Sequence, residues 1–283
     1  MLRRVQEQKA VGLFYGQRAL CIGALNTRAY VGTSNHTHQK QTPFKRLAHT
    51  GVMFERVMFG SREEADAALR AVAGMHRRVN GELAQDEGPF PAGTSYDAYA
   101  PELMWWTVAV MLDSAVWFYE HLVRRMSDAE REQLYADYVR FAELFGMPRD
   151  AAPADYRAFR AWFDAELRSH RMHLTDEARY VGYASAFEIP MPAHRQPFKR
   201  VHDLLMLNSL PGVVRRHYRL ELSLQQRLAA RAVMEALRRS NPLVPGQIKR
   251  GSCIPEFEMV ARTEARRIAR GEPTPQVGDQ LAA

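Results

Sequence analysis

The sequence predicts an all-α fold, and three observations carry that prediction. Apolar residues recur at helical spacing over eight stretches, about 44–59, 62–83, 101–125, 127–145, 153–170, 198–209, 223–240 and 255–270. Start and stop signals bracket most of these stretches. No run alternates apolar and polar residues as a half-buried strand requires.

In the first stretch Arg46, His49, Thr50 and Met53 fall at i, i+3, i+4 and i+7, so they share one face, with Val57 a turn further on. Gly60 stops that helix, and Ser61-x-x-Glu64 opens the next as a capping box. The second stretch lines up Leu69, Val72, His76, Val79 and Leu83, and Gly81 supplies its stop signal. A loop over about 84–100 holds Gly88, Pro89, Pro91, Gly93 and Tyr96. Pro101 then takes a first-turn position before the apolar run Leu103–Tyr119. Thr107, Asp113 and Ser114 interrupt that run, so it is too short and too polar to span a membrane and reads as a buried core helix. Ser127-x-x-Glu130 is a second capping box, and Gly146 with Pro148 closes the helix it opens. Asp150 to Pro153 prefaces the helix of Tyr156, Phe159 and Phe163, and Asn241-Pro242 ends the stretch from 223. The loop 84–100 and a second irregular stretch, 186–197 with Pro190, Pro192 and Pro197, carry aromatic or apolar residues that want burial, so neither reads as an interdomain linker. One domain over residues 1–270 is expected, with 271–283 as a disordered tail.

Bulk composition narrows the function. At 283 residues, 46% hydrophobic and 25% charged, the chain has material for a core that encloses a ligand. The net charge of +7 invites a nucleic-acid partner, but the basic residues are scattered. They recur as pairs such as Arg77-Arg78, Arg124-Arg125 and Arg238-Arg239, near helix C-termini where they complement the dipole, so no nucleic-acid partner is expected. Cys21 and Cys253 make no disulfide framework and fit a reducing cytoplasm. No Cys-x-x-Cys-His and no zinc-ligand spacing occurs. Arg3, Arg4, Glu7 and Lys9 stand where a signal peptide needs an apolar stretch.

The chemistry-bearing residues are few. His49 and His76 lie on consecutive helices joined by one tight turn, and two facing helices with inward histidines can hold a metal or a haem. Taken alone, each histidine is more often a hydrogen-bonded core residue than a ligand. Asp113, inside the apolar helix, needs a partner, with Arg46 or a histidine ring nitrogen as candidates. Arg215 and Arg216 follow Leu210-Pro211-Gly212 and suit a carboxylate ligand or, alternatively, a helix dipole. Met104, Trp105, Trp106 and Phe118 either wall a pocket or pack an ordinary core.

Taken in order, Arg46-x-x-His49-Thr50, Phe59-Gly60, His76-x-x-Val79-x-Gly81 and Tyr99-x-Pro101-Glu102-Leu103-x-x-Trp106 resemble the oxygenase family typified by MpaB and by the catalytic domain of latex-clearing rubber oxygenases. Gly16-x-Arg18-Ala19-Leu20, Phe145-Gly146-Met147-Pro148 and Leu210-Pro211 with Arg215 extend the resemblance over about residues 12–220. It implies a single globin-like helical domain enclosing a haem pocket with one non-covalent haem b. It places the proximal iron ligand on His76 and the pocket lining on Arg46 and Thr50, with Arg215 as a further cofactor-binding candidate. Rubber oxygenases often carry a lysine just before the threonine, where this chain has His49. His49 is therefore expected to be a sixth ligand or a hydrogen-bond donor to bound oxygen. The function expected is oxidation of a small apolar or aromatic molecule with O2, with Arg46, His49 and Thr50 as the catalytic set. A gas sensor, a haem carrier or a bis-histidine electron-transfer protein is the alternative among haem proteins, and a helical binding protein the alternative without haem.

Overall fold

A computed structural model describes residues 1–37 and 42–274. It is mostly helical. Four short helices open the chain: α1 Leu2–Gln6, α2 Lys9–Gly12, α3 Tyr15–Gly23 and α4 Thr27–Asn35. The hairpin α5 Pro43–Phe59 and α6 Arg62–His76 follows. A two-stranded antiparallel ribbon, β1 Asn80–Glu82 and β2 Ser95–Asp97, leads into α7 Pro101–Phe118. Next come α8 Asp128–Leu144, α9 Tyr156–Glu166, α10 Asp176–Phe187, α11 Gln196–Ser209 and α12 Gly212–His217. The described chain closes with α13 Leu224–Ser240, α14 Gly246–Lys249 and α15 Ile254–Ala269.

The core is built around α7, which buries residues on every face from Leu103 to Phe118. Helices α3 and α8 pack directly against it. Trp105 and Trp106 meet Tyr135, Phe159, Trp162 and Phe163 there, at ring separations of 5.9 to 6.4 Å. The Trp106 indole donates to the Gly23 carbonyl at 3.0 Å, which fixes its ring to the end of α3. Trp105 and Trp106 are core packing, not the walls of a pocket, because their faces are spent on these neighbours. No helix among the described residues is long and apolar enough to cross a membrane.

Both expected capping boxes form. Ser61 Oγ accepts from the Glu64 amide, and Ser127 Oγ from the Glu130 amide, each with the reciprocal carboxylate bond. Three expectations are corrected. The stretch 62–83 is helical only to His76, because Val79 and Leu83 join the ribbon: the Val79 carbonyl accepts from Ala98 and the Leu83 amide donates to Thr94. The loop 84–100 therefore contains a strand, too short for alternation to register. The long helix from 101 changes to a π-turn over Tyr119–Val123, after which the buried Glu120 carboxylate receives the Met126 amide and Arg131. Most of the tail expected over 271–283, from residue 275 on, lies outside the described residues.

Candidate functional site

Helix α5 starts where Pro43 presets the first turn. Its leading amides, on Phe44 and Lys45, donate to the two Glu264 carboxylate oxygens at 3.1 and 2.9 Å. Glu264 lies on α15 and is only 1% exposed; its buried carboxyl group caps the helix, and burial raises its pKa against the opposing pull of the two amides and Arg46. Next along the helix, the half-buried Arg46 guanidinium donates to Thr37 Oγ1 at 2.9 Å. Burial lowers its pKa, with Tyr30 and Glu264 opposing. That bond uses one of five guanidinium N–H groups, and no other Arg46 side-chain bond occurs among the described residues. His49 and Thr50 are exposed, and the Thr50 hydroxyl donates to the Arg46 carbonyl at 3.1 Å. Its proton is thus committed, while its oxygen stays free to accept.

Helix α6 ends on His76. The imidazole is half-buried, edge-on to Tyr99 at 6.1 Å between centroids, and Tyr99 is tethered by its hydroxyl to the Ala73 carbonyl. Among the described residues the His76 ring makes no hydrogen bond and no ion pair, and burial lowers its pKa. It is therefore held neutral at pH 7, the state in which an imidazole nitrogen offers a lone pair.

Helix α4 and the ribbon connect the two halves. Tyr30 on α4 and Thr37 just beyond it face Arg46. Gly32 lets the Tyr96 ring approach so closely that a Cβ there would sit 3.0 Å from it. Asn35 donates to the Tyr96 hydroxyl at 3.2 Å, and His36 meets the ring edge-on. Tyr96 on β2 leads within three residues to Tyr99 and His76.

Not every expected residue joins this region. No bond or ring contact links His49 to His76. Arg215, on α12, turns its guanidinium onto the Leu210 carbonyl and has Arg216 and Arg227 as charged neighbours. No bond joins it to Arg46, Thr50 or His76. The expected partners of Asp113 are also corrected. It pairs with Arg18 at 2.7 Å and with Arg160, not with Arg46 or a histidine. Arg18 was visible only as part of a motif, and Glu264 carried no sequence signal, since its role depends on a contact 220 residues away in the chain.

A haem can be tested against these groups. Among the described residues no three His, Cys, Asp or Glu side chains converge on a metal position. An iron held by four porphyrin nitrogens needs only one protein ligand, and a neutral, unbonded imidazole fits that need. Arg46, with spare donors, fits an anionic group of such a cofactor.

Two relatives are similar over part of their length: one uncharacterised protein from Mycobacterium bovis and one from Mycobacterium tuberculosis. Each is 25% identical over 150 residues, 53% of this chain and 56% of the relative. The chain thus spans little more than half the length of these curated relatives. No solved structure matches. The family model described as ER-bound oxygenase mpaB/B′/rubber oxygenase, catalytic domain, matches residues 3–239 and takes in Arg46, His49, Thr50 and His76. The chain belongs to the MpaB and rubber oxygenase catalytic-domain family.

Proposed function

We propose that this chain is a haem b-dependent oxygenase or oxidase that uses O2 on a small apolar or aromatic molecule, with residues 1–270 as its catalytic domain. Membership of an oxygenase family supports the reaction class. The observation that carries the cofactor is the half-buried imidazole of His76, which makes no hydrogen bond or ion pair among the described residues and whose pKa burial lowers. Bound there, haem supplies the oxygen-activating redox chemistry.

The chain's own groups have separable tasks in this proposal. His76 would hold the iron of the haem, with the Tyr99 ring packed edge-on against its imidazole. Arg46 holds positive charge beside the site in surroundings that exclude much of the water, where a charge acts over a longer distance than in solvent. Thr50 presents an acceptor oxygen, since its proton goes to the Arg46 carbonyl. His49 stands one residue earlier at the solvent boundary, where it can exchange protons with water. Its exposure to solvent suits an oxygen-handling or proton-handling role.

Oxygen uptake by haem-loaded protein with a panel of alkenes and alkylarenes tests the reaction class. Substrate-dependent uptake that falls about 10-fold or more in Arg46→Ala is expected. Haem-loaded protein that binds O2 reversibly and consumes none with any of these substrates would instead be a sensor or carrier.

A further inference from the structure

A cleft of about 510 Å³ opens between the C-terminal half of α7, α9, the end of α11 and the start of α12. Asp113 and Trp117 of α7 line it. They lie 12 and 16 residues beyond Pro101, whereas Tyr99, the neighbour of His76, immediately precedes the helix. At 1.5 Å per residue the cleft is roughly 20 Å from the His76 end of α7. It is therefore a separate place in the fold.

The charges lining the cleft do not cancel. Four guanidiniums face two carboxylates. Asp113 is taken by Arg18 and Arg160, and Asp164 by Arg160 at 2.9 Å. Arg168 and Arg216 have no carboxylate partner among the described residues. Arg168 donates only to the Asp164 carbonyl, and the Arg216 side chain makes no hydrogen bond there. Between these cations lie Trp117, Phe163, Leu167 and Val213. The Asn208 amide at the wall has a single long contact, 3.9 Å to the Met234 sulfur. The volume suits a ligand of drug-like size.

We infer that this cleft binds an amphipathic organic anion, its carboxylate or phosphate head held by Arg168 and Arg216 and its apolar body laid against Trp117 and Val213, the half-buried apolar side chains of its lining. Guanidinium forks match both heads geometrically. The inference stands independently of the cofactor assigned to His76, because no residue is shared.

Calorimetric titration of the full chain with decanoate, decyl phosphate and decan-1-ol tests it. At least one of the two anions is expected to bind, and the uncharged alcohol to bind at least about 10-fold more weakly. Decanoate alone would mark a carboxylate head, decyl phosphate alone a phosphate head. Arg168→Ala and Arg216→Ala are each expected to weaken the anion about 10-fold. Both side chains are exposed, so the variants should melt like the parent, which a thermal scan checks. Binding of neither anion would overturn the inference, as would equal binding of anion and alcohol or affinity unchanged in both variants.

Discussion

Asp113 holds two guanidiniums at once, and one of them, on Arg18, is only 2% exposed. Arg18 also donates to the Ser209 carbonyl and Ser114 hydroxyl, so one side chain ties α3 to α7 and α11. Removing the carboxylate strands a buried cation. Asp113→Ala should cost about 3–5 kcal/mol of stability, read as a lowered denaturant midpoint. A loss below about 1 kcal/mol would show that water reaches Arg18 after all. The histidines set a pH dependence. Burial lowers the imidazole pKa at His76, His121 and His217 below the ordinary 6.5. Each ring protonates less readily folded than unfolded, so stability is greatest above the unfolded pKa and drains as pH falls through the lower folded values. Tm should fall on acidification from about 7.5 to about 5, and His121→Asn should flatten the fall. A parent Tm that holds steady or rises over that range would contradict this sign.

At the scale of elements, helix α15 lies beyond residue 239, where the family match ends, yet it packs on the helix that bears Arg46, His49 and Thr50. Gly51 permits the approach: a Cβ there would stand 2.9 Å from the Phe257 ring. Glu264 then caps α5 through the two amides just before Arg46. Glu264→Ala should destabilise the fold by about 1–3 kcal/mol, because two amides lose their acceptor where little water enters. Chemical denaturation measures it, and a neutral result would mean that α5 starts without that cap. Helices with a full apolar period and a capping box, α6 and α8, were legible from sequence at their starts. Helix α10 was not read, since Gly182, Ser185 and three alanines give it a weak stripe. The ribbon strands are three residues each, too short for any period. Val79 and Leu83 kept helical phase with His76 by coincidence; strand pairing instead leaves Val79 half-buried and Leu83 buried.

For the whole molecule, residues distant in sequence meet at two ends of α7. At one end lie Tyr99, His76 and, through α4 and the ribbon, Arg46. At the other lies the arginine-lined cleft. The residues of the first region sit in local motifs with fixed spacing, which is why the sequence singled them out. The second was only half legible: Asp113 announced that a buried charge needed partners, but Arg18 and Arg160 are 95 and 47 residues away. Arg215 was expected beside the cofactor because arginine suits carboxylates, and in the fold one of its N–H groups donates to the Leu210 carbonyl. Residue type states what a side chain can bind, and only packing decides what it meets.

The central claim is that His76 carries the iron of a haem. The most direct measurement is the absorption spectrum of haem-titrated protein, ferric and then ferrous under CO, for the parent, His76→Gly, and His76→Gly with added imidazole. The account predicts a Soret band that survives gel filtration in the parent, is lost or strongly shifted in the glycine variant, and returns when imidazole fills the gap. A parent that takes up no haem, or a variant with the parent's spectrum without imidazole, would contradict it.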